Sequence, residues 1–415
     1  DEQRLLVDDF GIVAQSEVLV AERLLLTAGA RADRSSNNGD PGKYYLFPKA
    51  SASYRFGTLR RGLVDDVKLR VAYGETGNQP LYGQKFTPLD LSNIGGAGAF
   101  RVGTGRAASD LRPERQREIE GGVDLALFGN RVTADLTAFQ RNISDLLIIR
   151  TLPPTSGYSS ETSNGASMRV WGGEAAIAAF PLQGALTWTT RFNLGANRNR
   201  ITELPVAPFL LGAPQVGAVR IEEGRSATQL IGNDTLPQSG GRVVVPVVIG
   251  DGTPKYNAGW GNEIRWKGLS AYALLDRQLG GMLANGTWRH YDLGQNSRDY
   301  DEVTATGQKL GEVRRTTYLQ VTRIYYQDAS YLKLREVTLG YDLPRPLVRR
   351  AWARANAARL QFSGRNLYWW TDFRGGDPEA ENFGAGNVPG SVQRNRELAA
   401  YPASRQFWVN LNVEF

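Results

Sequence analysis

The chain has 415 residues, a formal net charge of +7, 10% aromatic residues and no cysteine, so disulfides and zinc–thiolate centres are excluded. Its length suits two or three ordinary domains or one large β-structure. No run of about eighteen apolar residues occurs, which excludes a transmembrane helix but not a β-barrel span, since alternating strands keep mean hydropathy low.

The start, DEQRLLVDDFGIV, has no initiator Met, basic n-region or apolar h-region, so a targeting segment is expected upstream. Period-two alternation then dominates, in segments of about ten residues bounded by Gly, Asn, Asp or Pro. In VKLRVAYGETGN, Val67, Leu69, Val71 and Tyr73 share one face, and Lys68 and Arg70 the other. Ile119, Val123, Leu125 and Leu127 oppose Glu118, Glu120 and Asp124. After a turn at Gly129-Asn130, Val132, Ala134, Leu136 and Ala138 oppose Arg131, Thr133, Asp135 and Thr137. Leu186, Trp188, Phe192 and Leu194 continue the pattern.

A soluble sandwich also alternates, but its strands average about five or six residues. Here the alternation often persists over about nine or more, with full charges on one face only, which fits a wide barrel with a wet lumen. Tight corners, such as Phe128 to Arg131 and Trp266-Lys267-Gly268-Leu269, contrast with long polar regions around 76–112, 150–170, 201–254 and 285–328. The spacing predicts roughly fourteen strands in an all-β, transmembrane antiparallel barrel.

In YLKLREVTLGYDLP, Tyr331–Pro344, the apolar residues change phase between Leu332/Leu334 and Val337/Leu339/Tyr341. This predicts a β-bulge at Arg335–Glu336, with Leu332 and Leu334 packed inward under the loops and the later three facing lipid. RPLVRRAWARANAARL, Arg345–Leu360, predicts one short helix over 346–357, with Leu347, Val348, Ala351, Trp352 and Ala355 at helical spacing and Pro346 in its first turn. It reads as a connection on the periplasmic rim rather than a partner-binding helix. At the C-terminus, Phe407, Val409, Leu411, Val413 and Phe415 alternate with polar or aromatic neighbours.

Catalytic constellations are scarce. His290 is the only histidine, which rules out metal sites built on two imidazoles, and it reads as a solvated or ligand-contacting loop residue. The acidic groups Asp299/Asp301/Glu302 and Asp377/Glu379/Glu381 are weak calcium candidates that match no EF-hand spacing. Gly103-Thr104-Gly105 is a lone GxG, weak evidence for phosphate binding. Glu118, Glu120 and Asp124 are expected to line a wet interior. Tyr82, Phe100, Tyr158, Tyr325 and Tyr326 are open between ligand stacking and membrane girdles, and Trp369 and Trp370 are assigned to a girdle. The basic residues form no block, so nucleic acid is not an expected partner.

The segments SYLKLREVTLGYDLP (330–344), LQFSGRNLYWWTDFRGGDPE (360–379) and RQFWVNLNVEF (405–415) together resemble the SusC/RagA class of TonB-dependent outer-membrane transporters. LTAGARADRSS, FPKASASYRF, LRVAYGETGNQP and NISDLLI agree in collinear order, so the resemblance covers essentially the whole chain. It implies a barrel of about 22 strands with a plugged lumen. Residues 1–415 would be the C-terminal portion of that barrel, with the plug and the TonB-contacting segment outside this sequence. Gly364, Asn366, Gly376, Asp377, Pro378 and Glu379 match the family's loop signature. Val409, Leu411, Val413 and Phe415 resemble the signal read by the barrel-assembly machinery. The implied activity is non-enzymatic, cofactor-free import of a glycan or peptide across the outer membrane of a Gram-negative, Bacteroidetes-like bacterium. A SusD-type surface lipoprotein and the TonB complex are the implied partners, alongside outer-membrane lipids. A passive porin and a structural or adhesive surface subunit are the alternatives.

Overall fold

A computed structural model describes residues 6–213, 217–239, 241–379, 396–401 and 403–415. Period-two alternation becomes one large sheet of fourteen strands, in line with the strand estimate. Thirteen run as an antiparallel meander from Asp9–Val20 to Gln406–Glu414, each bonded to the next strand of this sheet in chain order. The fourteenth, Gly105–Arg106, pairs in parallel with Ser160 and Glu161.

Register keeps like with like. Val67 lies opposite Leu125, Leu69 opposite Val123 and Tyr73 opposite Ile119, while Lys68 lies opposite Asp124. One face is therefore a row of apolar side chains and the other a row of charges. The apolar face stays open to its surroundings: Leu339 is 55% exposed, Phe362 52% and Trp260 47%. Contiguous apolar exposure on this scale does not suit water, and it marks the surface that meets lipid. Small apolar cores lie elsewhere. One joins Val219, Leu230, Ala284 and Tyr326; another joins Ala166, Ile201 and Leu204.

The two ends of the sheet differ. At one end the strands are joined by tight turns, as at Leu127–Val132 and Trp266–Leu269. Lys267 (φ 45°) and Gly268 (φ 84°) both have positive φ there, the requirement of a two-residue type I′ hairpin, whose twist matches that of the flanking strands. At the other end lie the long connections, and all four differ from the sequence reading, region 76–112 by holding a hairpin of Leu89–Ile94 and Ala97–Val102. Region 150–170 is not a loop: strands Val132–Thr151 and Ser160–Leu182, of 20 and 23 residues, run through most of it. A membrane crossing needs only about ten residues, so this hairpin projects well beyond the bilayer. Region 201–254 folds as a four-stranded sheet of Phe209–Ala213, Gly217–Ile221, Gln229–Gln238 and Gly241–Asp251. Region 285–328 contains the helices Gly286–Leu293 and Leu310–Thr317. Polar composition hid this order because these small elements pack on one another with little periodicity of their own.

The bulge is present where the phase changes, but its consequence is the reverse of the one expected. Leu274 pairs with Glu336 and Leu275 with Leu334, so Arg335 is the extra residue. On the other side Leu332 faces Trp370 and Leu334 faces Tyr368, both half exposed on the apolar face. Tyr331 and Lys333 are the buried residues. The bulge thus corrects the phase: Leu332, Leu334, Val337, Leu339 and Tyr341 all stay on the apolar side, while Arg335 and Glu336 turn to the charged side together.

The helix is shorter than predicted. It spans Arg345–Ala351 and stops at Trp352, whose backbone is extended. The chain must return to pair as strand Ala357–Trp370, and Asn356 already donates its N–H to Glu414. Fully buried Val348 packs with Ala355 and Ala358, so the helix caps the tight-turn end as the sequence suggested. Among the described residues the outermost strands, Asp9–Val20 and Gln406–Glu414, each pair on one side only, and the sheet is open.

Candidate functional site

The charged face forms a wall of cross-strand ion pairs. Arg70 donates to Asp124 at 3.1 Å and also reaches Asp135 and Thr137, three strands sharing one guanidinium. Lys68 pairs with Asp124 at 3.1 Å and Arg141 with Glu118 at 2.5 Å. Further along, Arg365 meets Glu336 at 3.1 Å. Glu118, Glu120 and Asp124 therefore line the wet face as expected. Between these pairs run two grooves that mix charged and apolar lining. One of about 550 Å³ is lined by residues including Glu120, Asp135, Glu174, Asn193 and Asp276. The other, of about 440 Å³, includes Asp66, Asp124 and Arg191. A wall of alternating fixed charges and amides is wettable along its length and offers hydrogen-bonding groups to a polar solute.

At the long-loop end the wall holds one loop by charge. Lys333 Nζ donates to Asp377 at 2.5 Å and to Glu379 at 2.8 Å. Arg335, the bulged residue, donates to Glu379 at 2.6 Å and to Asp276 at 2.5 Å. The Glu379 N–H closes back on the Asp377 carboxylate at 2.9 Å across Pro378. Burial pushes the Glu379 carboxyl up, but hydrogen bonds from Arg335 and Lys333 outweigh this and hold it at about 2. Asp377 and Glu379 thus anchor the loop to the wall. Two of the calcium candidates, Asp377 and Glu379, already face fixed cations; Glu381 lies outside the described residues. Lys333 and Arg335 were missed as their partners, although the phase change that turns both inward was the available signal.

Gly364 and Asn366, expected to belong with that loop, contact other segments. Gly364 is buried beside Phe407, and Asn366 adopts φ 52° while its amide donates to the Ser404 carbonyl at 3.1 Å. Trp370 stands on the apolar face, edge-on to Tyr368 at 4.8 Å, as a girdle residue does. Trp369 does not join it: register places it opposite Lys333, on the charged side. Val409, Leu411 and Val413 pair with Phe362, Leu360 and Ala358, and Phe415 is exposed beyond the last strand.

Above the wall the loops have their own polar core. Arg314 donates to Asp292 at 2.7 Å, meets Asp299 at 2.6 Å, and lies 4.3 Å from the Trp288 ring centre. Asp299 is spent on Arg314 and Arg374 rather than grouped with Asp301 and Glu302. Tyr325 donates to Asp292 at 2.8 Å, and burial followed by that carboxylate raises its pKa. Tyr326 donates to the Ile231 carbonyl at 2.8 Å and is pushed up to about 12 by burial. Both tyrosines are structural posts, not open stacking platforms. Tyr82 and Phe100 remain exposed and Tyr158 is half-buried. His290 is not in a loop: it sits exposed on helix Gly286–Leu293, its Nδ1 2.8 Å from the Gly286 carbonyl. Gly103-Thr104-Gly105 stitches two loops, with the Gly103 N–H given to Pro88 and the Thr104 carbonyl taken by Ser159, so it offers no phosphate cradle.

Comparison with known proteins agrees with this architecture. The family described as TonB dependent receptor-like, beta-barrel matches residues 3–367. Two curated proteins of Formosa agariphila are similar over 95% of this chain: TonB-dependent receptor P3, at 26% identity, and TonB-dependent receptor P26, at 24%. The chain covers 44% and 45% of their lengths, so it spans less than half of each. Among solved structures, the RagAB peptide transporter superimposes with a TM-score of 0.79 at 20% identity, over 99% of this chain and 48% of that one. That likeness is one of fold, and it agrees with the SusC/RagA resemblance carried by 330–344, 360–379 and 405–415. An open sheet with one apolar and one charged face, tight turns at one end and folded loops at the other, belongs to a protein of the TonB-dependent receptor-like β-barrel family.

Proposed function

We propose that residues 1–415 are the C-terminal portion of the barrel of an outer-membrane importer for a nutrient oligomer, a glycan or a peptide. The observation that carries the reading is the charged wall, which runs under a folded loop assembly and is tied to it at Lys333 and Arg335. In this reading the apolar face meets outer-membrane lipid of a Gram-negative bacterium, and the charged face lines the lumen. Strands outside this sequence pair with Asp9–Val20 and Gln406–Glu414, since unpaired edges are not tolerated in hydrocarbon. A plug fills the lumen, and a segment contacting TonB couples its displacement to the inner-membrane proton gradient. A SusD-type surface lipoprotein covers the long loops, and the assembly machinery reads Val409, Leu411, Val413 and Phe415. The neighbour's description as a peptide transporter supports an oligomeric cargo.

The test is uptake of labelled oligomers by cells carrying the full-length protein, with and without a protonophore. The reading predicts accumulation that collapses when the gradient is removed. Gradient-independent passage would instead establish a passive porin, and no passage of any oligomer a structural subunit.

A further inference from the structure

The loop assembly contains two arginines that the wall and its ion pairs leave unused. Arg289 lies on helix Gly286–Leu293, and Arg396 on the short strand Arg396–Glu397, which pairs in parallel with Ala284 and Asn285 immediately before that helix. The two segments are locked together. A side chain at Gly286 would meet the Glu397 carbonyl at 2.7 Å; Thr287 Oγ1 donates to Glu397 at 2.6 Å and accepts from the Ala399 N–H at 2.6 Å. The segments that carry the two arginines therefore sit side by side at one corner of the loop assembly.

The Nε groups of Arg289 and Arg396 are each buried, and neither has a hydrogen-bond partner among the described residues. Burial first, and the positive charge of Arg289 second, pull the pKa of Arg396 below the ordinary arginine value. Two nearby carboxylates are committed elsewhere. Asp292 and Asp299 are held by Arg314, and Asp299 also by Arg374. Glu397 follows Arg396 on the strand, so its side chain leaves from the opposite face, where one oxygen accepts from Thr287 and the other is buried without a partner among the described residues. The preceding segment 380–395 contains one acid, Glu381, and one more base, Arg394. Around Arg289 the other near group is the Tyr318 ring, 5.3 Å away. Like charges with orphaned buried donors are unfavourable unless an acceptor bridges them, and the planar guanidinium fork matches oxyanions in particular.

We propose that Arg289 and Arg396 form an oxyanion site that binds a carboxylate or sulfate-ester group of the ligand. This deepens the import reading: the cargo, or the end of it held at the loops, is acidic. The site lies on the same loop assembly as the Asp377–Glu379 anchor but uses none of its residues.

The test is equilibrium binding to the full-length receptor in detergent, with no gradient applied, so that its outcome is independent of uptake. The probes are oligogalacturonate, a short poly-aspartate peptide and a sulfated oligosaccharide, each beside a charge-free counterpart, methyl-esterified or desulfated. The site predicts that at least one charged probe binds more tightly than its counterpart, and the probe that does so identifies the source of the oxyanion. Arg289→Gln and Arg396→Gln should each weaken that binding by about tenfold, and Arg396→Lys should restore part of it. Inorganic sulfate should compete where chloride at equal ionic strength does not. Equal binding of charged and neutral forms would overturn the proposal, as would Gln variants with unchanged affinity. Thermal unfolding covers the internal rival: if Glu381→Gln destabilises the protein as much as Arg396→Gln and no probe discriminates by charge, the pair serves Glu381 of this chain and the proposal is wrong.

Discussion

Lys333 is buried to 5% side-chain exposure against Asp377 at 4%. A buried charge stripped of its partner costs about 3–5 kcal/mol, whereas replacing both partners with apolar groups is often neutral. Lys333→Met is therefore expected to lower the stability of the folded receptor by about that amount, and Lys333→Met with Asp377→Leu to recover most of it; thermal unfolding in detergent measures both. Glu379 behaves differently because it is partly exposed. Its carboxyl is held at about 2 in the fold against an ordinary value of 4.5, so its contribution is complete above the ordinary value and fades as pH falls toward 2. Hydrogen exchange of amides 371–379, corrected for intrinsic rates, should show constant protection from neutral pH down to about 5 and a loss below it. Glu379→Gln should abolish that step. These partners were only half legible in the sequence: Asp377 and Glu379 stand out as a signature, but their cations come from a strand more than forty residues earlier, and proximity of that kind is set by the sheet.

At the scale of the element, the strand Tyr331–Asp342 shows how a barrel keeps its faces. A strand that alternated without interruption from Tyr341 upward would place Lys333 and Arg335 on the lipid side. One extra residue at Arg335 prevents this and sends two consecutive charged side chains inward. Lysine at position 339, on the apolar face, should therefore block assembly or cost about 2–4 kcal/mol near the bilayer midplane, while lysine at position 361 of the neighbouring strand, half-exposed on the charged side, should be tolerated. The fraction of folded, heat-modifiable receptor recovered from membranes measures the difference. The phase change itself was plain in YLKLREVTLGYDLP, and the bulge followed from it. The direction in which Leu332 and Leu334 point did not, because alternation says which residues share a face and not which face is wet. That choice came from the neighbours, Trp370 and Tyr368 on one side and Asp276 on the other. The short helix was legible in composition, but its end was not: the demand that Ala357 resume pairing stops it at Ala351.

At the scale of the whole molecule, thirteen strands in sequence order with like faces aligned were readable from alternation and turn chemistry, because both are local. The folded loop sheet and the Asp292–Arg314 core were not, since their order rests on contacts distant in sequence. One arrangement underlies all the others: the charged face is wet, the apolar face meets lipid, and the bulge keeps them so. The chain has no cysteine, so single cysteines can be placed at each position from 332 to 339 of the full-length receptor in bilayers. Each is labelled with a fluorophore and quenched by nitroxide-bearing lipid. Strong quenching is expected at 332, 334, 337 and 339 and weak quenching at 333, 335, 336 and 338, with two consecutive wet positions at the bulge. Unbroken alternation through 335 and 336, or strong quenching at 333, would contradict it.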